Sequence, residues 1–448
     1  MIFSRVLSAA GLNSGGSLRQ SVISAATLSM AVRVAGLVLS YAANVLMSRL
    51  LGVQAFGEYV IALSWSLVLA LLAKAGLDNS ALRFSTAYFE RQDYPAWRGF
   101  IMFAATIVTF VSLVVGLLVI LVGHRWMPVS PTTRFWAGAL VLPLALLTFF
   151  SIILRTTRRV FAAQFYEQVL RPAMVIGAIL ASVLFGVRLS ASSAMALTAF
   201  GAAAALIALL VQLAGVLCGA WSHRARYDEW RQWSALSFSM LLLGVVQELM
   251  NQVDILLLGH FGQTRDAALF AASWRLASIV PFALAGFSTI AGPLIASAHD
   301  RGDSDELHRL SSVIARAGFA FSLVAALALY LLARPLLAIF GHDFIAAKGV
   351  LTILLVGGVV NAFTGVVAYL TTLTGHERAA LAILAGALIL SIGLNMLLIP
   401  HYGAVGAAIA SSSATVAWNL ALLVYVRRTV GIDASAFAFA PRLPSALA

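Results

Sequence analysis

The chain has 448 residues, 61% of them hydrophobic and only 10% charged, with a mean hydropathy of +0.97. A typical soluble domain carries roughly 25% charged residues, so these figures exclude a soluble enzyme, a disordered regulator and a nucleic-acid-binding protein. The formal charge of +12, from 29 Lys and Arg against 17 Asp and Glu, reads instead as the basic cytoplasmic loops of a polytopic membrane protein.

The first twenty residues hold a short apolar run in which Phe3, Val6, Leu7 and Ala10 recur at helical spacing. It is followed by Asn13-Ser14-Gly15-Gly16-Ser17. Two readings stay open there, a short helix on the membrane surface and an unstructured tail; no cleavable signal peptide is read in it. A helix needs about 20 apolar residues to cross the hydrocarbon core. Twelve such segments follow, at about 22–48, 56–80, 99–123, 135–154, 168–187, 192–221, 234–260, 266–296, 310–340, 348–373, 379–399 and 403–427. The expected fold is therefore an all-α polytopic membrane protein, with twelve transmembrane helices in two pseudo-symmetric six-helix lobes around a central cavity.

The expected organisation is a cytoplasmic segment 1–21, an N-lobe 22–221, a cytoplasmic linker 222–233, a C-lobe 234–428 and a cytoplasmic tail 429–448. With the N-terminus inside, 19 Lys and Arg residues fall to the inside and seven to the outside. Arg33, Lys74 and Arg275 fall within spans. That bias agrees with twelve spans and cytoplasmic termini. Cys218 is the only cysteine, which excludes an intramolecular disulfide and a Cys-based metal cluster.

An offset of about 210 residues superimposes the halves. Asn44-Val45-Leu46-Met47 falls on Asp254-Ile255-Leu256-Leu257, Gly52 on Gly262 and Gly76 on Gly286. With one gap, Ala62-Leu63-Ser64-Trp65 falls on Ala271-Ala272-Ser273-Trp274. The loop Glu90-Arg91-Gln92-Asp93 falls on Asp300-Arg301-Gly302-Asp303. Six spans per copy give both copies the same orientation, a parallel repeat about an axis along the membrane normal. A cavity between two such lobes is where secondary transporters bind substrate.

A charge at the bilayer centre costs at least about 2.5–3.5 kcal/mol, so it should face a cavity or a partner. Ser29, Arg33, Ser40 and Asn44 share one stripe of the first span. Gln247, Asn251 and Asp254 follow i, i+4, i+7 on the seventh, with Glu248 beside them. The second span adds Lys74 and Asp78, spaced i,i+4, whose plain reading is mutual neutralisation. Arg275 and Trp274 lie in the outer half of the eighth span. Trp65 and Trp274 read as interfacial belt residues before sugar-stacking platforms. Arg33, Asn44, Lys74, Arg275, Gln247 and Asn251 are the candidate substrate-binding residues, and Glu248, Asp254 and Asp78 the candidate ion-coupling residues. Pro281 and Pro293, with Gly286 and Gly292, make the eighth span the expected bent one. Gly215 and Gly219 form a GxxxG pair compatible with close helix packing.

No Walker A loop, HExxH or GxSxG is present. The DxD at Asp303-Ser304-Asp305 sits in a short charged loop without a nucleotide-binding fold near it. No catalytic residue, cofactor or metal is expected, and the chain reads as a non-enzyme.

The segment Ser48-Arg49-Leu50-Leu51-Gly52-Val53-Gln54-Ala55-Phe56-Gly57-Glu58-Tyr59, followed by an apolar helix and Ala75-Gly76-Leu77-Asp78, resembles the start of the polysaccharide-transporter family. Its counterpart from Asp254-Ile255-Leu256-Leu257-Leu258-Gly259 through Gly292-Pro293-Leu294-Ile295 does so too. This family belongs to the superfamily of multidrug, oligosaccharidyl-lipid and polysaccharide exporters. The resemblance implies a flippase moving an undecaprenyl-diphosphate-linked oligosaccharide across the bacterial inner membrane, for O-antigen, capsule or exopolysaccharide synthesis. It implies cationic cavity residues for the diphosphate-glycan, for which Arg33, Lys74 and Arg275 are candidates by position. It also implies membrane lipids, a polysaccharide polymerase and a chain-length regulator as partners, and no nucleic acid. An ion-coupled multidrug/cation antiporter of the same superfamily is the alternative. In-span charges do not decide between them, since Arg33, Lys74 and Arg275 balance Asp78, Glu248 and Asp254.

Overall fold

A computed structural model describes residues 16–221, 223–281, 301, 304–365, 367, 370–371, 376–429, 431 and 435–437, with side chains from Met30 onward except at 218–221, 304, 305 and 307. The N-terminal stretch 3–10, Gly286, Gly292, Pro293, Asp300 and Asp303 lie outside these residues. Among the described residues the regular structure is helical, and nine helices are long and apolar enough to cross a membrane. Helices suit hydrocarbon because each satisfies its own backbone hydrogen bonds.

In chain order the helices are α1 (Gly16–Ala73), α2 (Leu77–Glu90), α3 (Tyr94–Val122), α4 (Pro131–Thr156), α5 (Val160–Leu184), α6 (Ala191–Trp221) and α7 (Trp230–His260). They continue with α8 (Thr264–Ala277), α9 (Ser304–Leu331), α10 (Ala333–Phe340), α11 (Lys348–Thr364) and α12 (Glu377–Thr429). Helix α1 has 58 residues. At 1.5 Å per residue it would run roughly 87 Å if straight, far beyond one bilayer crossing. It breaks at Gly52 (φ 72°, ψ 171°), and α12 breaks likewise at Gly403 (φ 53°, ψ −130°). Each therefore supplies two of the expected spans. The eighth span is described only through Pro281. Gly52 and Gly262, paired by the internal repeat, both have φ 72°, a left-handed conformation that glycine adopts without steric cost.

Three expectations are corrected. The second span does not run to residue 80. It ends at Ala73, and Ala75 (φ 50°) and Gly76 (φ 74°) turn the chain into α2. The ninth, expected over 310–340, breaks at Leu332 into α9 and α10. At Gly215 a side chain would meet nothing within 4 Å, so that half of the GxxxG pair makes no close approach. The close approach occurs instead between α3 and α4. A Cβ on Gly116 would lie 2.7 Å from the Gly138 carbonyl oxygen, and one on Gly138 would lie 2.6 Å from that of Gly116.

The chain forms two compact units, 1–252 and 253–448. In the first unit Phe56, Ile61, Trp97, Phe100 and Phe149 are among the fully buried core residues. Phe110, Leu113, Leu117, Leu118 and Leu121 of α3 are exposed, a face for lipid. Helix α3 starts on Asp93, which accepts the Ala96 N–H at 3.2 Å, and α4 starts on Ser130, with Pro131 at its first turn; both are standard caps for the free N–H groups. The second unit packs Ile314, Val367, Leu370, Leu422, Leu423 and Val426 into one cluster.

Replacing Gly138 by isoleucine should open the α3–α4 contact and cost about 1–3 kcal/mol, as overpacking does. Gly177→Ala, where a side chain meets nothing within 4 Å, should stay within about 0.5 kcal/mol. Thermal unfolding in detergent checks both; equal melting temperatures for the two variants would refute the close-packing argument.

Candidate functional site

In the first unit the polar positions of α1 separate by environment. Arg33 is exposed. Asn44 is 9% exposed, and its amide donates to the Ser40 carbonyl at 2.7 Å. Its Oδ1 is buried with no hydrogen-bond partner among the described residues. Trp65, half-buried, lies 6.4 Å from Trp126 by ring centroids, whereas Trp274 is exposed.

Lys74 and Asp78 stand on either side of the break between α1 and α2, with an Nζ–Oδ2 distance of 2.5 Å. Their side chains are 12% and 10% exposed. At that depth each supplies the other's counter-charge, since an unpaired buried ion is far costlier than a pair. Asp78 Oδ1 also accepts the Asn79 N–H at 3.0 Å. Two of the nine candidate residues thus neutralise one another.

A further polar cluster was not legible in the sequence. Residues Phe165–Leu170 form one π-helical turn within α5, and such turns recur at functional positions. Glu167 in that turn accepts from Arg155 at 2.7 Å and from Ser151 at 3.1 Å. Helix α1 lies directly on the turn, because a Cβ on Gly36 would come within 2.7 Å of the Gln168 carbonyl oxygen. Arg155 counts as a loop cation in a positive-inside reading, and π geometry leaves no periodic signal. Only the twelve-residue separation of Arg155 and Glu167, closed by a helical reversal, hints at the pair.

On α7, Gln247 and Asn251 are exposed, and Glu248 accepts from Gln252 at 3.1 Å. Asp254 differs. It shares their stripe by spacing, yet it is 2% exposed. Its Oδ1 accepts from Asn395 Nδ2 at 2.8 Å, and Ser411 is a second side-chain partner. Asn395 is fully buried; its amide also reaches the Ser391 carbonyl at 2.9 Å and the Ser391 hydroxyl at 3.2 Å. Its Oδ1 has no partner among the described residues. Asn395 and Ser411 would stand roughly 24 Å apart on a straight helix. They meet one carboxylate because α12 turns back at Gly403. That reversal is tight: a Cβ on Gly406 would lie 2.5 Å from the Leu398 carbonyl oxygen. Asn395, Ser391 and Ser411 were missed in the sequence, because their relation to Asp254 exists only once α12 has folded back.

This cluster offers oxygen ligands and one carboxylate. Hard cations prefer such oxygens, and a single negative charge suits a monovalent cation or a proton. No group of three or more His, Cys, Asp and Glu side chains among the described residues could hold a metal ion. Arg275 is half-buried at the end of α8.

The MatE family model matches residues 240–397. No curated protein matches the chain. Among solved structures, the lipid II flippase MurJ in an inward closed conformation is similar, with TM-score 0.71 and 14% identity over 91% of this chain and 87% of that one. An inward-facing multidrug resistance MATE family transporter of the MOP superfamily has TM-score 0.70 and 14% identity, over 91% and 98%. A MOP superfamily transporter from Pyrococcus furiosus, described as having a binding pocket of reversed polarity, has TM-score 0.60 and 14% identity, over 91% and 94%. The chain is a multi-pass membrane protein with the fold of MOP superfamily transporters.

Purified protein should melt higher in sodium chloride than in choline chloride of equal ionic strength, or higher as pH falls, because a ligand that binds only the folded state stabilises it. Asp254→Asn should abolish that response. A response that persists in the variant removes Asp254 as the ion site. Asn395→Ala should lower stability by about 1–3 kcal/mol, the cost of stripping a buried acceptor of its donor.

Proposed function

We propose that the chain is a MOP superfamily transporter that moves an undecaprenyl-diphosphate-linked oligosaccharide across the bacterial inner membrane by alternating access. Its termini lie in the cytoplasm. The observation that carries this choice is the exposure of Arg33 within a span. Asp78 is neutralised by Lys74 at 2.5 Å, Asp254 is buried on Asn395, and Arg33 remains exposed within a span. An exposed cation at membrane depth favours an anionic cargo, and a diphosphate losing its hydration needs such a group. Lys74 and Asp78 then hold the α1–α2 break rather than touching substrate.

In this reading Arg33 receives the diphosphate, with Gln247 and Asn251 as exposed hydrogen-bonding groups for sugar hydroxyls and Arg275 as a second cation. Asp254, with Asn395, Ser391 and Ser411, binds the coupling ion. The prenyl tail stays in lipid. The product feeds O-antigen, capsule or exopolysaccharide assembly, beside a polymerase and a chain-length regulator. A second reading, the ion-coupled multidrug antiporter, is favoured by the MatE match over residues 240–397.

A deletion strain should accumulate one complete glycan-lipid in the inner leaflet under conditions where the glycan is made. The wild-type chain should clear it. Arg33→Ala should fail to, at unchanged protein abundance, and Arg33→Lys should restore at least part of the export. A normal lipid profile in the deletion strain, with raised drug sensitivity, would favour the antiporter instead.

A further inference from the structure

The tenth span is expected over 348–373, but α11 stops at Thr364. Gly365 (φ 71°, ψ −134°) interrupts the helix, and Val367 is helical again. A helix end leaves backbone carbonyls without helical partners. Inside a membrane span such a break is tolerated only where those groups find other partners. Each carbonyl at this break therefore needs a donor from elsewhere.

Three of the donors are visible. The Thr364 hydroxyl shares its proton between the Asn361 carbonyl at 2.9 Å and Asn419 Oδ1 of α12 at 2.8 Å. The Gly365 N–H donates to the Ala362 carbonyl at 3.2 Å. The Phe363 carbonyl accepts from the N–H of Ala436 at 2.9 Å. That last donor comes from the tail 429–448, beyond the final turn of α12.

The tail is seated there by more than one bond. Ser435 and Ala436 are 2% and 4% exposed. The Ala436 carbonyl accepts from Arg316 Nε at 3.3 Å, so its two backbone groups are engaged by α11 and α9 respectively. Phe437, although exposed, brings its ring to 5.5 Å from that of Phe363 and 5.9 Å from that of Phe319. Phe319 and Phe363 are themselves 5.9 Å apart. The three rings are tilted or edge-on to one another, the arrangement that aromatic pairs prefer. Arg316 and Phe319, three residues apart, share one face of α9.

Arg316 and Phe319 lie inside the span His308–Leu331, and Phe363 lies in the span that ends at Thr364. The tail is therefore built onto membrane-spanning helices, all of them in the second unit. Folded proteins recognise extended peptides with the same elements. Main-chain hydrogen bonds hold the backbone, and side-chain pockets select the residues beside it. Here the enclosed residues are small, serine and alanine, and the third supplies an aromatic ring. A tail that merely rested on the surface would leave Ser435 and Ala436 open and the Phe363 carbonyl bare.

We propose that the second unit contains a peptide-binding notch, made by the last turn of α11 with Arg316 and Phe319 of α9, and that the chain's own segment 435–437 is its ligand. Its docking closes the break in the tenth span, which makes this segment part of the membrane domain. The proposal is independent of the cargo and of the coupling ion.

The chain's single cysteine makes docking easy to read. In a Cys218→Ser background, Ser435→Cys places a thiol of similar size at the enclosed position. In native membranes a water-soluble maleimide should label it at least tenfold more slowly than Thr429→Cys, at the exposed end of α12. Adding Phe437→Ala should raise the rate at position 435 several-fold. Equal rates at the two positions, or a rate that Phe437→Ala leaves unchanged, would overturn the proposal. The backbone bond is tested separately in detergent. Ala436→Pro removes the N–H that Phe363 receives, whereas Ala436→Gly keeps it. The proline variant should melt several degrees below the glycine variant. Equal melting temperatures would overturn the tail as the donor at the break. Should the proline variant fail to accumulate, the labelling of Ser435→Cys decides by itself.

Discussion

A backbone N–H or C=O that enters hydrocarbon must find its partner within its own chain, at a cost of several kcal/mol if it does not. Every larger feature of this protein follows from how that demand is met. It is satisfied locally by α-helical hydrogen bonding, so the chain is free to choose where helices break. Several breaks among the described residues are placed at glycine: Gly52 and Gly403 split two runs of more than fifty residues, and Gly76 helps separate α1 from α2. Each uses a positive φ that glycine adopts at little cost. At Gly76 and Gly403 the missing side chain also admits a neighbour, a Ser237 carbonyl in one case and the Asp266 carboxylate in the other.

The same scarcity of water governs the ionisable groups. Lys74 and Asp78 meet at a helix break, Arg155 and Glu167 at a π turn, and Asp254 takes the amide of Asn395 in place of a cation. The three arrangements have different consequences. The first two cancel charge and are compatible with a fixed scaffold. The third leaves a single buried carboxylate among neutral oxygen and amide groups, an arrangement whose charge an arriving cation or proton would balance. That contrast separates Asp254 from the other carboxylates on chemistry, although spacing along α7 groups it with Gln247 and Asn251.

Helix α7 joins these themes. It carries the buried carboxylate near one end and the buried Trp233 and Ser237 near the other.

Hydrophobic run length was enough to read the helical, multi-pass character, because it depends on a one-dimensional quantity, the length of apolar chain. The pairing of Gly52 with Gly262 was legible for the same reason, as a repeat is a property of order along the chain. The i,i+4 pair of Lys74 and Asp78 was legible as a pair because the distance between such neighbours is local. What tertiary structure alone decided is every relation that requires the chain to return on itself. It put Asn395 and Ser411 on one carboxylate, Arg155 on Glu167, Ser80 on Ser237 and Gly116 on Gly138. It also assigned the first half of α7 to the first unit. Those contacts depend on helix rotation and crossing, which apolar composition leaves undetermined because lipid and protein interior are equally apolar, and only close packing and hydrogen bonds choose between the faces of a helix.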